Sequence, residues 1–212
     1  MNWKKKLLKN FKLYAITDLQ REETEILRKV EAAYRGGADI VQLRAKTLSD
    51  EALYRLSLKF RKIADRYQKL LFVNDRPDLA LAVRADGVHL GQEDLPMEAL
   101  RRILQGRKIF IGRSTHSLSQ ALQAQKEGAD YIGVGPIFET PTKPATPAVG
   151  LRLIREVKKK IRIPFVCIGG IDPTNVRQVL LAGADRIAVV RAVFGARDVY
   201  RAAKNLREAM EE

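Results

Sequence analysis

A single cysteine, Cys167, stands among 212 residues, so no intrachain disulfide can form and the expected compartment is a reducing one, the cytoplasm. It lies inside an apolar run and reads as a packing residue rather than a nucleophile. Long hydrophobic runs are missing too. No stretch approaches the roughly 20 apolar residues of a membrane span. Met1 to Asn10 carries lysines but neither a long apolar region nor a small-residue cleavage site, and so does not read as a signal peptide. Histidine is scarce: His89 reads as a hydrogen-bonded core residue and His116 as the start of a helix, and neither belongs to a metal-ligand spacing. No segment is of low complexity, and 46% apolar content is that of an ordinary globular chain.

Acidic residues are outnumbered, 25 against 39 Lys and Arg, which leaves a net charge of +14. Such a surplus raises nucleic acid as a partner. Its distribution argues otherwise, because Lys158-Lys159-Lys160, Arg101-Arg102 and Arg61-Lys62 are spread over helical segments without interleaved aromatics for base stacking. Small anionic substrates explain the charge more economically, and abundant Lys, Arg and Glu also suit a heat-adapted surface.

What the chain does contain is a repeated unit. Gly37-Ala38-Asp39-Ile40 recurs as Gly128-Ala129-Asp130-Tyr131 and Gly183-Ala184-Asp185-Arg186, with a weaker copy at Ala85-Asp86-Gly87-Val88. Each reads as a helix closed by a C-cap glycine, a tight turn and a β-branched run. Eight such runs begin near residues 12, 39, 70, 86, 108, 130, 164 and 186, separated by helical patterns. Ile163 to Ile168 and Ile187 to Val190 are apolar throughout, as strands buried on both faces are. The expected fold is α/β, a single (βα)8 TIM barrel over residues 1–212 with a short N-terminal helical lead over 1–11. That lead carries Trp3, Leu7, Leu8 and Phe11 to pack on the outside of the domain. A doubly wound sheet is the alternative.

In a barrel of this kind, chemistry collects where strands run into the following helices. Asp75 and Asp94 end neighbouring strands and would face one another, a repulsion that a cation relieves. Two hard oxygen ligands suit Mg2+, with water and substrate phosphate completing the shell. Taken singly, each aspartate could instead cap the helix that follows it. Gln42, Arg44 and Lys46 alternate with Leu43 and Ala45 and point the same way, as clamps on a diphosphate or as partners in plain salt bridges. Gly169-Gly170, followed by Asp172-Pro173 as N-cap and N1, offers backbone N–H groups to a phosphate, or simply a tight turn. The proline-bearing connection Glu139 to Gly150 is long enough to cover a site, with Lys143 at its tip between Thr140 and Thr142. Ser114 lies in a plausible anion turn, and only His116 is near it in sequence.

Taken together, Tyr14-Ala-Ile-Thr-Asp18, Gln42-Leu-Arg-Ala-Lys46, Asn74-Asp-Arg76, Asp86 to Asp94, Gly133 to Phe138, Thr140-Pro-Thr-Lys143 and Ile168-Gly-Gly-Ile171 resemble the thiamine-phosphate synthase family over about residues 12–205. The resemblance implies that hydroxymethylpyrimidine diphosphate is held by Gln42, Arg44, Lys46, Asn74, Ser114 and Lys143, with Mg2+ on Asp75 and Asp94. It places thiazole phosphate on Gly170, Val190, Arg191, Thr140 and Thr142. Arg44, Lys46, Lys143 and Ser114 would carry catalysis by stabilising a departing diphosphate, with no general base. Arg191 departs from the family, which often has serine there. Gly112 to Ser117 and Phe138 to Thr140 also resemble the related thiazole tautomerase, but Pro136 stands where that enzyme has a catalytic histidine. A barrel that only senses a phosphorylated ligand is the remaining alternative, and the sequence leaves a homo-oligomer open.

Overall fold

The computed structural model describes residues 3–18, 22–45, 47–142 and 146–211. Eight parallel strands close into a barrel in sequence order: β1 (Leu13–Ile16), β2 (Ile40–Leu43), β3 (Leu70–Asn74), β4 (Gly87–Leu90), β5 (Phe110–Thr115), β6 (Tyr131–Val134), β7 (Phe165–Ile168) and β8 (Ile187–Val189). Leu13 pairs with Ile187, joining β1 to β8, and this closure excludes the doubly wound sheet. Helices α1 (Trp3–Asn10), α2 (Glu23–Arg35), α3 (Asp50–Arg66), α4 (Pro77–Ala82) and α5 (Met97–Leu104) are followed by α6 (Leu118–Lys126), α7 (Gly150–Lys160), α8 (Val176–Leu181), α9 (Arg191–Phe194) and α10 (Val199–Ala209). None is long and apolar enough, among the described residues, to cross a membrane.

Alternation along each strand sorts the side chains into two cores. One set, including Leu13, Val41, Val73, Val88, Ile132 and Cys167, packs outward against the helices, where burial also pushes the Cys167 thiol well above its ordinary pKa. The alternate residues of each strand face the barrel axis, and the lower ones, Tyr14, Ile40, Leu70, Phe72 and Tyr131, form the inner cluster. Tyr131 fits because Gly112, its partner on β5, has no side chain: a Cβ there would stand 2.2 Å from the ring.

The N-terminal lead does not lie on the outside of the domain as expected. Leu8 and Phe11 join the inner cluster, and Phe11 meets Tyr14 and Tyr131 edge-on with centroids 6.1 and 6.3 Å away. The reason is that the N-terminal ends of the strands would otherwise leave this aromatic layer open to water. Lys4 pins the plug to Asp86 at 2.5 Å.

The repeated Gly-Ala-Asp unit acts here as well. Gly37, Gly128 and Gly183 take φ of 107°, 84° and 110° just beyond α2, α6 and α8, the left-handed stop that glycine adopts freely. Each following aspartate starts an even-numbered strand. Asp39 accepts from the Lys12 amide at 2.8 Å, Asp86 from the Leu71 amide at 2.9 Å and Asp130 from the Ile111 amide at 2.8 Å. Each carboxylate thus ties its strand to the preceding one, while Asp185 pairs with Lys158 at 2.7 Å.

Candidate active site

Where the strands run out, the upper inward residues surround a cavity of about 480 Å³. Gln42 and Arg44 reach it from β2, Asn74 from β3 and Ser114 from β5; Thr140 and Thr142 reach it from the connection after β6, Gly170 from the end of β7, and Val190 with Arg191 from the end of β8. All the residues expected to bind substrate therefore converge here, except Lys46 and Lys143, which lie outside the described residues.

Convergence follows from local structure. Thr17 locks the end of β2 to that of β1, its hydroxyl accepting from the Arg44 amide at 3.0 Å and donating to the Arg44 carbonyl at 3.2 Å. Arg44 is half-buried, and its guanidinium has no carboxylate partner among the described residues; Lys46, the other cation of that pair, lies outside them. Arg191 is exposed at the rim as the first residue of α9, also without a carboxylate partner among the described residues.

Gly169 and Gly170 have φ of 100° and 65°, and a Cβ would meet Pro136 at 2.4 Å from the first and the Glu139 carbonyl at 2.7 Å from the second. Packing alone therefore requires both glycines, and their chain seats the long connection: Ile137 N–H donates to the Ile168 carbonyl at 2.8 Å and Phe138 N–H to that of Gly169 at 3.0 Å. Asp172 and Pro173 do not start the next helix as expected. Asp172 instead accepts from the Thr174 amide at 2.8 Å in a preceding turn, and α8 begins at Val176 with Asn175 as its cap. The connection from Glu139 carries no helix or strand in its described part, and its far end is closed by Val149 N–H donating to the Pro136 carbonyl at 2.8 Å.

The two acids lie beside this cavity rather than in its wall. Asp75 is exposed with φ of 59°, and its amide donates to the His89 carbonyl at 2.9 Å. Asp94 is half-buried, and its carboxylate accepts from the Gly91 amide at 2.5 Å. Neither caps a helix, since the caps of α4 and α5 are Arg76 and Pro96. No group of three or more His, Cys, Asp or Glu suited to a metal occurs among the described residues. The loop holding Asp94 is braced: Arg113 donates to the Leu95 carbonyl at 3.0 Å and the Gln92 carbonyl at 3.2 Å.

What escaped the sequence reading is a line of hydrogen bonds beside the cavity, and with it Tyr131. Ser114 bonds not to His116 but to His89, whose Nε2 lies 2.9 Å from its Oγ. Tyr131 Oη is 2.8 Å from His89 Nδ1 and 3.1 Å from Tyr14 Oη, and Gln42 Nε2 donates to Tyr14 Oη at 2.8 Å. His89 faces the cavity besides being bonded within the core. His116 likewise does not begin a helix; Ser117 is the cap of α6, and His116 bonds through Nδ1 to the Gly135 carbonyl. Alternation could have found the line, because all five of its residues occupy inward positions of their strands.

A closed parallel barrel with a largely apolar cavity at its C-terminal strand ends, into which a few polar groups converge, is the layout of a small-molecule enzyme. The thiamine monophosphate synthase family model matches residues 13–193. The chain belongs to that family, and with it to the transferases of thiamine biosynthesis. Thiamine-phosphate synthase from Pyrococcus horikoshii is 47% identical over 212 residues, covering 100% of this chain and 99% of that one. The Shouchella clausii enzyme is 48% identical over 207 residues, with coverage of 97% and 99%. Thiamine phosphate pyrophosphorylase from Pyrococcus furiosus superposes with a TM-score of 0.87 at 42% identity, covering 97% of this chain and 98% of that one.

Proposed function

We propose that the chain joins hydroxymethylpyrimidine diphosphate to thiazole phosphate, giving thiamine phosphate and free diphosphate. The observation that carries the site assignment is Arg44, a half-buried cation with no carboxylate partner among the described residues, facing a cavity shared with Gln42, Asn74 and Ser114. In the reaction, the bond between the pyrimidine methylene carbon and the diphosphate oxygen breaks and its electron pair leaves with the diphosphate. The thiazole nitrogen then gives its lone pair to the methylene cation. No proton is transferred, which agrees with the lack of any need for a general base.

Arg44, Lys46, Lys143 and Ser114 stabilise charge on the leaving diphosphate, and Gln42 and Asn74 hold the pyrimidine half. Backbone at Gly170 and Val190, with Arg191, Thr140 and Thr142, holds the thiazole phosphate in line, so that two bound partners react as one. Mg2+ fits the donor set, because magnesium takes one or two carboxylates and fills its shell with water and phosphate oxygens. Asp75 and Asp94 would hold it, and the left-handed φ of Asp75, costly for a residue with a side chain, supports a site built there. Once bound, it would neutralise diphosphate charge. The working unit is one barrel domain acting on small phosphorylated molecules in the cytoplasm, with self-association to be measured.

Mass spectrometry of a mixture of both substrates with Mg2+ should show thiamine phosphate. An isomerised thiazole with no pyrimidine consumed would identify a tautomerase instead. Asp75→Asn and Asp94→Asn should each remove most activity, and full turnover in excess chelator would dispose of the metal.

A further inference from the structure

Five polar side chains on five strands form one unbroken line, Gln42, Tyr14, Tyr131, His89 and Ser114, with successive distances of 2.8, 3.1, 2.8 and 2.9 Å. Its direction follows from counting protons. Gln42 donates to Tyr14, whose only partners among the described residues are Gln42 and Tyr131. Tyr14 is 1% exposed, so its own proton must go to Tyr131 or remain without an acceptor in the core. Tyr131, fully buried, accepts that proton and gives its own to His89 Nδ1. An Nδ1 that accepts leaves the ring proton on Nε2, where it is donated to Ser114 Oγ. Ser114 has then accepted from the ring side and keeps one proton to give, and Ser114 lines the cavity. Burial raises both phenols well above their ordinary pKa, so neither proton is lost at working pH.

We propose that this relay is a positioning device, which holds His89 as the Nε2–H tautomer and turns the Ser114 hydroxyl into a donor aimed at the bound diphosphate substrate. Tyr14 and Tyr131 act only through their neighbours, and they connect the two residues, Gln42 and Ser114, that meet opposite parts of one substrate. The purpose of the relay rests on the substrate role given to Ser114 above. Its polarity does not.

His116 supplies an internal control. A carbonyl can only accept, so the bond to Gly135 places the His116 proton on Nδ1, and the two imidazoles of the chain carry opposite tautomers. Long-range 1H–15N correlation spectra of the 15N-labelled full chain, recorded above the ordinary imidazole pKa, should show His89 as Nε2–H and His116 as Nδ1–H. His116→Asn assigns the pair. Finding His89 as Nδ1–H would overturn the proposal, because the line would then run in reverse with Gln42 presenting its carbonyl. In steady-state kinetics Tyr131→Phe should raise the KM for the pyrimidine diphosphate about fivefold, as the loss of one oriented hydrogen bond does. The same change in a Ser114→Ala background should add nothing. Equal effects in both backgrounds would show that the relay does not act through Ser114. Should Ser114→Ala alone leave kcat and KM unaltered, the substrate role of Ser114 falls while the His89 tautomer still reports on the relay.

Discussion

The two ends of the barrel treat charge in opposite ways. At the N-terminal end three of the four repeated acids hold a cation: Asp39 pairs with Lys69 at 2.8 Å and Arg207 at 2.6 Å as well as accepting from a strand amide, Asp86 with Arg61 at 2.6 Å and Lys4 at 2.5 Å, and Asp185 with Lys158 at 2.7 Å, while Asp130 accepts from the Ile111 amide. At the C-terminal end, Arg44 and Arg191 border open space with no carboxylate partner among the described residues. One end is also plugged by Phe11 and the other opens into about 480 Å³. Charge that is consumed internally fixes strand register. Charge left without an internal partner is available to a ligand.

That contrast is best broken from the bottom. Asp86→Ala should cost about 3 to 5 kcal/mol, since it takes from the buried guanidinium of Arg61 its one buried carboxylate, leaving only the exposed Asp65, and leaves the Leu71 amide without its acceptor. A urea titration should show the lowered midpoint, while kcat of the folded fraction stays as it was; loss of kcat at full stability would reverse the assignment of the two ends. At the top, Arg44→Met should lower kcat/KM for the pyrimidine diphosphate about 10²- to 10³-fold with an unchanged urea midpoint. A fall in midpoint matching the fall in activity would make Arg44 a structural residue.

Smaller effects sharpen the same comparison. Arg191→Ser should raise the KM for thiazole phosphate about tenfold, the equivalent of one charged hydrogen bond, and leave that for the pyrimidine diphosphate unmoved. An unchanged thiazole-phosphate KM would assign that phosphate to backbone alone. The mildest test is acid. Burial acts to raise the Asp39 carboxyl, but Lys69, the Lys12 amide and Arg207 outweigh it and hold it below the ordinary carboxylate range. A depressed folded pKa means that its stabilisation is complete above the unfolded pKa and disappears as pH falls through the folded one. Stability curves of wild type and Asp39→Asn should therefore converge on acidification, and parallel curves would contradict the linkage.

Much of this molecule could be read from residues in order. The eight strands start within two residues of the expected positions, because glycine stops and apolar runs are local features that need no partner to be recognised. Alternation likewise put Gln42 and Arg44 on one face and Leu43 on the other. Partnership was harder to read. Asp75 and Asp94 could have been caps, and only the placement of Arg76 and Pro96 at the helix starts removed that choice. The lead from Trp3 to Phe11 had an amphipathic pattern that fitted an outer surface equally well, until closure of the barrel created an apolar floor for it to fill.

By itself, then, the amino-acid sequence determined the number and order of the strands, the side each residue faces and the collection of polar residues at the strand ends, all of which depend on periods of a few residues. Tertiary structure alone decided who bonds to whom. Tyr14 and Tyr131 are 117 residues apart in the chain, and they meet at 3.1 Å because β1 and β6 project into the same closed interior with Gly112 leaving room for the second ring. A hydrogen bond is directional and short-ranged, so its partner is set by how the strands stagger around the barrel, a property no single stretch of the chain contains.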